Sequence, residues 1–218
     1  MSGIFLVEAA SQYLLASTFL RFSEFSENIF FRNRSFTLEE FMDWYAGKFG
    51  NFSYYEDWNG FNIPSKVLRP FLKGNFDPLS KKEKRFLDLW NGVPEPFYII
   101  GVQAGKTDLP TLKHEVIHGL FNTDHEYRKL VEKELSAIDC FHAALENAAY
   151  HESVWTDETN AYAICGAAGL VEHGLNMSLV LPIQKTARKL FSKKFGWDIV
   201  NAPLDKVIGL VHRIPFDS

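Results

Sequence analysis

A short segment of the chain, residues 112–122, holds two histidines four positions apart with a glutamate between them. On an α-helix, residues four apart overshoot one turn by only about 40°, so His114 and His118 point the same way and can bind one metal ion together. Glu115 follows the first histidine, where its carboxylate can take a proton from water beside that ion. The segment therefore constrains the fold to a helix that offers two metal ligands and a base.

The flanking residues favour a half-buried helix around this pattern. Thr107 and Asp108 are candidate N-caps, and Pro110 suits the first helical turn. An apolar face is formed by Leu112, Val116, Ile117, Leu120 and Phe121. The competing interpretation is an ordinary helix with two hydrogen-bonded histidines and a solvated glutamate.

Residues 114–118 resemble the signature helix of the zincin metallopeptidases, in which both histidines bind zinc and the glutamate is the general base. The metzincin branch requires a glycine three positions after the second histidine and a third histidine three positions later. Phe121 and Asp124 occupy those positions here, and His125 is one place out of register. The gluzincin branch instead takes its third ligand from a glutamate on a later helix, so the resemblance is to that branch.

The resemblance implies that Glu158 is the third zinc ligand. Thr156 or Asp157 can cap a helix that presents Glu158, Ala161 and Tyr162 on one face. A small residue at Ala161 allows this helix to approach the signature helix closely. Tyr162 is then placed to donate a hydrogen bond toward a developing oxyanion.

Other assignments remain open at the sequence level. Asp157 and Glu158 can simply favour the helix dipole, with Tyr162 packed in the core. His142 or His151 can replace Glu158 as the third ligand.

The donor set favours zinc as the metal. Two imidazoles, one carboxylate and an open position suit one Zn²⁺ per chain better than magnesium or calcium. Cys140 and Cys165 lie 25 positions apart in apolar helical contexts, so we expect small core residues rather than ligands.

The length of the chain predicts a single domain over residues 1–218. The local patterns predict that it is α+β and mainly helical, with a small sheet preceding the signature helix, and the resemblance implies that it is zincin-like. We expect residues 1–92 to form its helical N-terminal portion.

Hydrophobic residues make up 46% of the chain, and no apolar run approaches the roughly 18 residues that span a bilayer. We therefore expect no membrane partner. The first residues are a poor secretory signal and predict a cytoplasmic protein, the alternative being a mature form whose leader was removed.

Charge gives no general reason for nucleic-acid binding, because the net charge is −4. The basic segments 81–85 and 188–194 fit the polar faces of helices, so we expect solvated faces, with a weak anionic partner as the alternative.

Local signals place several further elements. A capping box at Thr37 and Glu40 predicts a helix that runs to about Phe49 and stops at Gly50, and a second box at 80–83 opens a helix that ends near Trp90. Helices are also predicted at 8–22, over most of 127–149, and at 182–195. Residues 207–211 predict a final strand or helical turn.

Two segments bear on the substrate. The aromatic stretch 50–64 predicts an ordered loop or short strands, either packed structurally or lining a cleft. Residues 97–102 predict a strand, and the zincin resemblance places 97–103 in or beside a sheet whose edge binds an extended peptide.

The sequence thus predicts a zinc-dependent hydrolase, foremost a metallopeptidase with a peptide or protein substrate. The alternatives are a zinc hydrolase of non-peptide amides or esters, and an inactive zincin-like binding module. The sequence does not set the oligomeric state.

Overall fold

The computed structural model describes residues 3–106, 108–148 and 150–217. The described chain forms two compact units. One comprises residues 3–106 together with 212–217, and contains the sheet. The other comprises residues 108–148 and 150–211, and is helical. The prediction of a single domain over 1–218 stays a prediction.

The sheet unit is built on four strands in the order β2-β3-β1-β4. These are β1 (Ile4–Ala9), β2 (Gly60–Pro64), β3 (Tyr98–Gln103) and β4 (His212–Phe216). β1 is parallel to β3 and to β4, whereas β2 is antiparallel to β3. The strand predicted at 97–102 is therefore confirmed as β3, and it lies inside the sheet rather than at an edge.

Five helices pack in the described part of the sheet unit. They are α1 (Gln12–Glu27), α2 (Leu38–Phe49), α3 (Tyr54–Asp57), α4 (Arg69–Leu72) and α5 (Lys81–Asp88). The Phe19 ring of α1 lies so close to Gly101 of β3 that an added Cβ would sit 2.6 Å from it. Glycine at this position therefore allows α1 to pack on the sheet.

Both predicted caps of this unit are present. Thr37 accepts a hydrogen bond from the Glu40 backbone, but the Glu40 carboxylate pairs with Arg34, so only the first half of the predicted capping box is shown. Gly50 ends α2 in the left-handed conformation, as predicted. Ser80 and Glu83 form a complete capping box at the start of α5.

The prediction of a helix at 8–22 was wrong for its first residues. Residues up to Ala9 belong to β1, and the helix begins only at Gln12, after the N-cap Ser11. The apolar residues of β1 are buried between two parallel neighbours, a contact that local periodicity does not reveal.

In the aromatic stretch, the expected short strand is β2, but the one-turn helix α3 was not predicted. Tyr54 and Phe61 are buried in the core of the sheet unit, so this part of the stretch is structural.

The helical unit contains the signature segment. Its elements are α6 (Leu109–Thr123), α7 (His125–Leu135), α8 (Asp139–Asn147), α9 (Trp155–Cys165), α10 (Met177–Phe195) and α11 (Leu204–Ile208). The helix predicted over 127–149 is two helices, and Ala149 lies outside the described residues. α10 starts one turn earlier than predicted and ends, as expected, at Gly196. The predicted final element is the end of α11, with β4 following it.

The predicted fold class, α+β and mainly helical with a small sheet, is confirmed. Of the helices that the structure describes, none combines the length and apolar character required to cross a bilayer.

Candidate metal centre

The signature helix is fixed at its start by Asp108. The Asp108 carboxylate accepts a hydrogen bond from the Thr111 backbone N–H at 2.9 Å, which satisfies one of the N–H groups left open in the first turn. The other predicted cap, Thr107, lies outside the described residues. Val116 and Ile117 are fully buried, so the apolar face of α6 holds the helix in the core of its unit. The histidines thus project from an anchored helix.

The two histidine side chains meet on one side of α6, as their spacing predicts. The Nε2 atoms of His114 and His118 lie 3.1 Å apart. Two imidazole nitrogens can face each other at this distance when one carries a hydrogen, or when both lone pairs bind the same cation. The two histidines are therefore placed so that both can bind one metal ion.

Helix α9 brings a carboxylate to the same point. Glu158 Oε2 lies 3.6 Å from His118 Nε2 and 3.9 Å from His114 Nε2. In the described part of the chain, these three residues form the one group of His, Cys, Asp or Glu side chains whose ligand atoms are close enough to share an ion. The structure thus brings together the residues that the sequence singled out as ligands.

The spacing of these donor atoms fits zinc. Ligand bonds of about 2.0–2.1 Å in a tetrahedral site place the donor atoms about 3.3 Å apart. The observed separations of 3.1, 3.6 and 3.9 Å bracket this value, so small side-chain adjustments suffice to hold the ion. Two nitrogens and one oxygen also leave a fourth position for water or substrate, as in catalytic rather than structural zinc sites.

Asp157 supports the site through His118. His118 Nδ1 lies 2.9 Å from Asp157 Oδ1, and Asn122 Nδ2 donates to the other carboxylate oxygen at 3.1 Å. The same Asn122 amide donates to the His118 carbonyl oxygen at 2.9 Å. A carboxylate that accepts the Nδ1 hydrogen fixes the imidazole tautomer and directs the Nε2 lone pair at a metal.

The electrostatic environments of the two histidines differ. Burial lowers the pKa of His114 to about 3, and the neighbouring His118 acts in the same direction. Burial also opposes a charge on His118, but the carboxylates of Asp157 and Glu158 outweigh it and hold its pKa well above the usual range. His114 is therefore neutral and can bind a metal ion without losing a proton. His118 must release a proton before it binds a metal.

The carboxylates at the site crowd one another. Burial raises the pKa of Glu158 to about 7; the charge of His118 opposes this rise, while Asp157 and Glu115 add to it. Glu115 is half-buried on α6, and its charge also acts on His118. This excess of negative charge is what a divalent cation would relieve.

Tyr162 lies beside the histidines. Its ring packs edge-on against His114 with centroids 5.0 Å apart, and its hydroxyl is 3.1 Å from the hydroxyl of Tyr150. Burial raises the pKa of Tyr162, so the phenol stays protonated and can donate a hydrogen bond. The sequence did not single out Tyr150.

The alternative ligands do not join the cluster. His142 packs on Trp155, His151 is exposed and accepts from the Ser153 backbone, and His125 is exposed at the start of α7. Burial raises the pKa of the Cys165 thiol to about 12, which keeps it protonated and a poor ligand.

Comparison of the chain with protein-family models, with curated proteins and with solved structures found no significant match. The chemistry of the site has to be inferred from its own geometry.

Proposed function

We propose that the chain is a zinc-dependent hydrolase of the gluzincin-like zincin type, with peptide bonds as its substrate. The convergence of His114, His118 and Glu158 within ligand distance of one ion carries this proposal. The carboxylate–histidine contact from Asp157 supports it, because such partners typically accompany metal-ligating histidines.

Glu115 is the proton carrier in this proposal. When bound, zinc supplies a Lewis acid that polarises a scissile carbonyl and acidifies water. The Glu115 carboxylate takes the proton from the attacking water and returns it to the leaving amine. Its position next to His114, near Glu158 and Tyr162, suits this role because its charge acts on both of those groups.

Tyr162 is the hydrogen-bond donor for the developing oxyanion. The contact with Tyr150 can supply a hydrogen to the Tyr162 oxygen, which leaves the Tyr162 O–H to donate toward substrate. A preoriented donor of this kind stabilises charge that is present only in the transition state.

The proposal of a peptide substrate is based on the zincin resemblance and not on the position of the sheet. Residues 98–102 of β3 are paired on both sides, so this strand cannot bind a peptide there by strand addition. We also propose a reducing cytoplasm as the compartment, because Cys140 and Cys165 are both free thiols.

The substitution Glu115→Gln tests the proposed function. We expect the variant to retain zinc and to lose hydrolysis of unstructured peptides by at least about 100-fold, since it removes the proton carrier but none of the ligands. Zinc content by mass spectrometry and peptide cleavage by chromatography measure the two effects. Glu126→Gln on the exposed start of α7 is the matched control and should cleave like the wild type.

Two results would contradict the proposal. One is full activity in the Glu115→Gln variant, and the other is wild-type cleavage that survives complete removal of zinc by a chelator. A parallel assay on small amides and esters separates a peptidase from a hydrolase of non-peptide substrates.

A further inference from the structure

Helix α10 is strongly polarised in charge. It carries five basic residues and no acidic one, although the whole chain has a net charge of −4. One face is buried in the helical unit through Val180, Ala187 and Phe191. The charge therefore lies on the sides and on the outward face.

Three lysines form a row on the outward face. Lys185, Lys189 and Lys193 are exposed and follow one another at intervals of four, so they line one side of the helix over about 12 Å. None of the three makes an ion pair with another residue in the described ranges. This row of lysines is therefore a positive surface that forms no ion pair with the described residues.

The other two basic residues of α10 have structural partners. Arg188 donates to the Ile164 carbonyl oxygen at 3.1 Å, and Lys194 pairs with Asp124 at 2.9 Å. Arg188 and Lys194 therefore contribute contacts within the helical unit, whereas the three lysines of the row are exposed to solvent.

An apolar tip adjoins the row of lysines. Leu181, 69% exposed, lies one turn before Lys185 on the same face, and Met177 and Leu179 are exposed in the first turn. Val171, just ahead of the helix, is exposed as well. Several exposed large apolar side chains in one short stretch are typical of an interaction surface.

We propose that this face of α10 binds the surface of a bilayer rich in anionic phospholipids. The lysines face the phosphates, while Leu179 and Leu181 enter the boundary between headgroups and acyl chains. A nucleic acid would use the lysines but leave the leucines in water, so the apolar tip favours the lipid. The helix would lie on the membrane surface without crossing the bilayer. This proposal differs from the sequence-based expectation of no membrane partner, because that expectation considered only membrane-spanning segments.

Cosedimentation of the full chain with vesicles tests the proposal. We expect binding to vesicles of phosphatidylcholine mixed with phosphatidylserine, weakening with salt, and little binding to phosphatidylcholine alone. The variant K185Q/K189Q/K193Q should bind about 100-fold more weakly, because each lysine near an anionic surface contributes roughly five-fold. The control K66Q/K81Q/K84Q removes the same charge from exposed lysines of the sheet unit and should bind like the wild type.

A second variant separates a bilayer from a soluble polyanion. L179S/L181S should weaken vesicle binding about ten-fold while leaving any binding to a DNA duplex unchanged. All the substituted side chains are exposed, and circular dichroism checks that the fold is retained. The proposal is overturned by equal affinity for the two vesicle types, by equal loss in the two lysine variants, or by unchanged vesicle binding in L179S/L181S.

Discussion

At the scale of single residues, Asp157 contributes more to the site than its sequence context indicates. From the sequence it is an acidic residue in the first turn of a helix, a common way to favour the helix dipole. In the structure it contacts His118 and Asn122. Adjacent helical residues project about 100° apart, so Asp157 reaches Nδ1 of the imidazole while Glu158 faces Nε2.

The substitution Asp157→Asn tests this role. We expect zinc affinity to fall about 10- to 100-fold, because the amide accepts the Nδ1 hydrogen more weakly and no longer strengthens the imidazole as a ligand. Competition with a chromophoric chelator measures the change. Asp139→Asn, an exposed acid at the start of α8, should leave the affinity unchanged; equal affinities for the two variants would refute the role of Asp157.

The ionisation of the ligands predicts how zinc affinity depends on pH. A proton on His118 or Glu158 competes with the metal, and the pKa of His118 is raised while that of Glu158 is about 7. Affinity should therefore rise as the pH increases from 6 to 8, with between one and two protons released per zinc. His114, with a pKa of about 3, adds nothing in this range.

Calorimetry in buffers of different ionisation enthalpy counts the released protons. In Asp157→Asn the count should drop, because the largest contribution that raises the pKa of His118 is gone. An affinity that stays constant between pH 6 and 8 would contradict these charge states.

At the scale of elements, the site depends on how closely α6 and α9 pack. Each helix was recognisable locally, from the histidine spacing in α6 and from the acidic first turn of α9. Their contact was an expectation from the resemblance, because the ligands His118 and Glu158 are 40 positions apart. Ala161, on the same face of α9 as Glu158, is fully buried, as a close approach requires.

Enlarging Ala161 should disturb this packing. We expect Ala161→Leu to lower the free energy of unfolding by about 1–3 kcal/mol and to weaken zinc binding, since the extra atoms push Glu158 away from the histidines. Chemical denaturation and chelator competition measure the two effects. Ala143→Leu on the exposed face of α8 is the control and should change neither; wild-type zinc affinity in Ala161→Leu would argue against this packing.

At the scale of the whole molecule, helix ends that depend on nearby residues were predicted well, whereas the pairing of distant strands was not predicted. The caps of α2 and α5 and the stop of α10 at Gly196 were readable because each is formed by residues a few positions apart. β1 and β4 pair with each other although Phe5 and His212 are 207 positions apart. No local pattern encodes such a pairing, so the end of β1 was predicted as helix and β4 was missed.

The candidate site shows the same division. The candidate metal ligands and the candidate base were singled out from short sequence spacings and from a family resemblance, and the structure places the three candidate ligands close together. Asn122 and Tyr150 were missed because their roles depend on side-chain directions in three dimensions. The sequence thus indicated the candidate site residues, and the structure adds the side chains that contact them.

The proposed chemistry depends on one zinc ion bound to His114, His118 and Glu158. Native mass spectrometry of the purified protein, after equilibration with one equivalent of zinc, measures whether this ion binds. We predict one zinc per chain in the wild type and none in the His114→Ala/Glu158→Ala variant. A wild type that stays free of metal, or a variant that still holds one zinc, would rule out a zinc site at these residues.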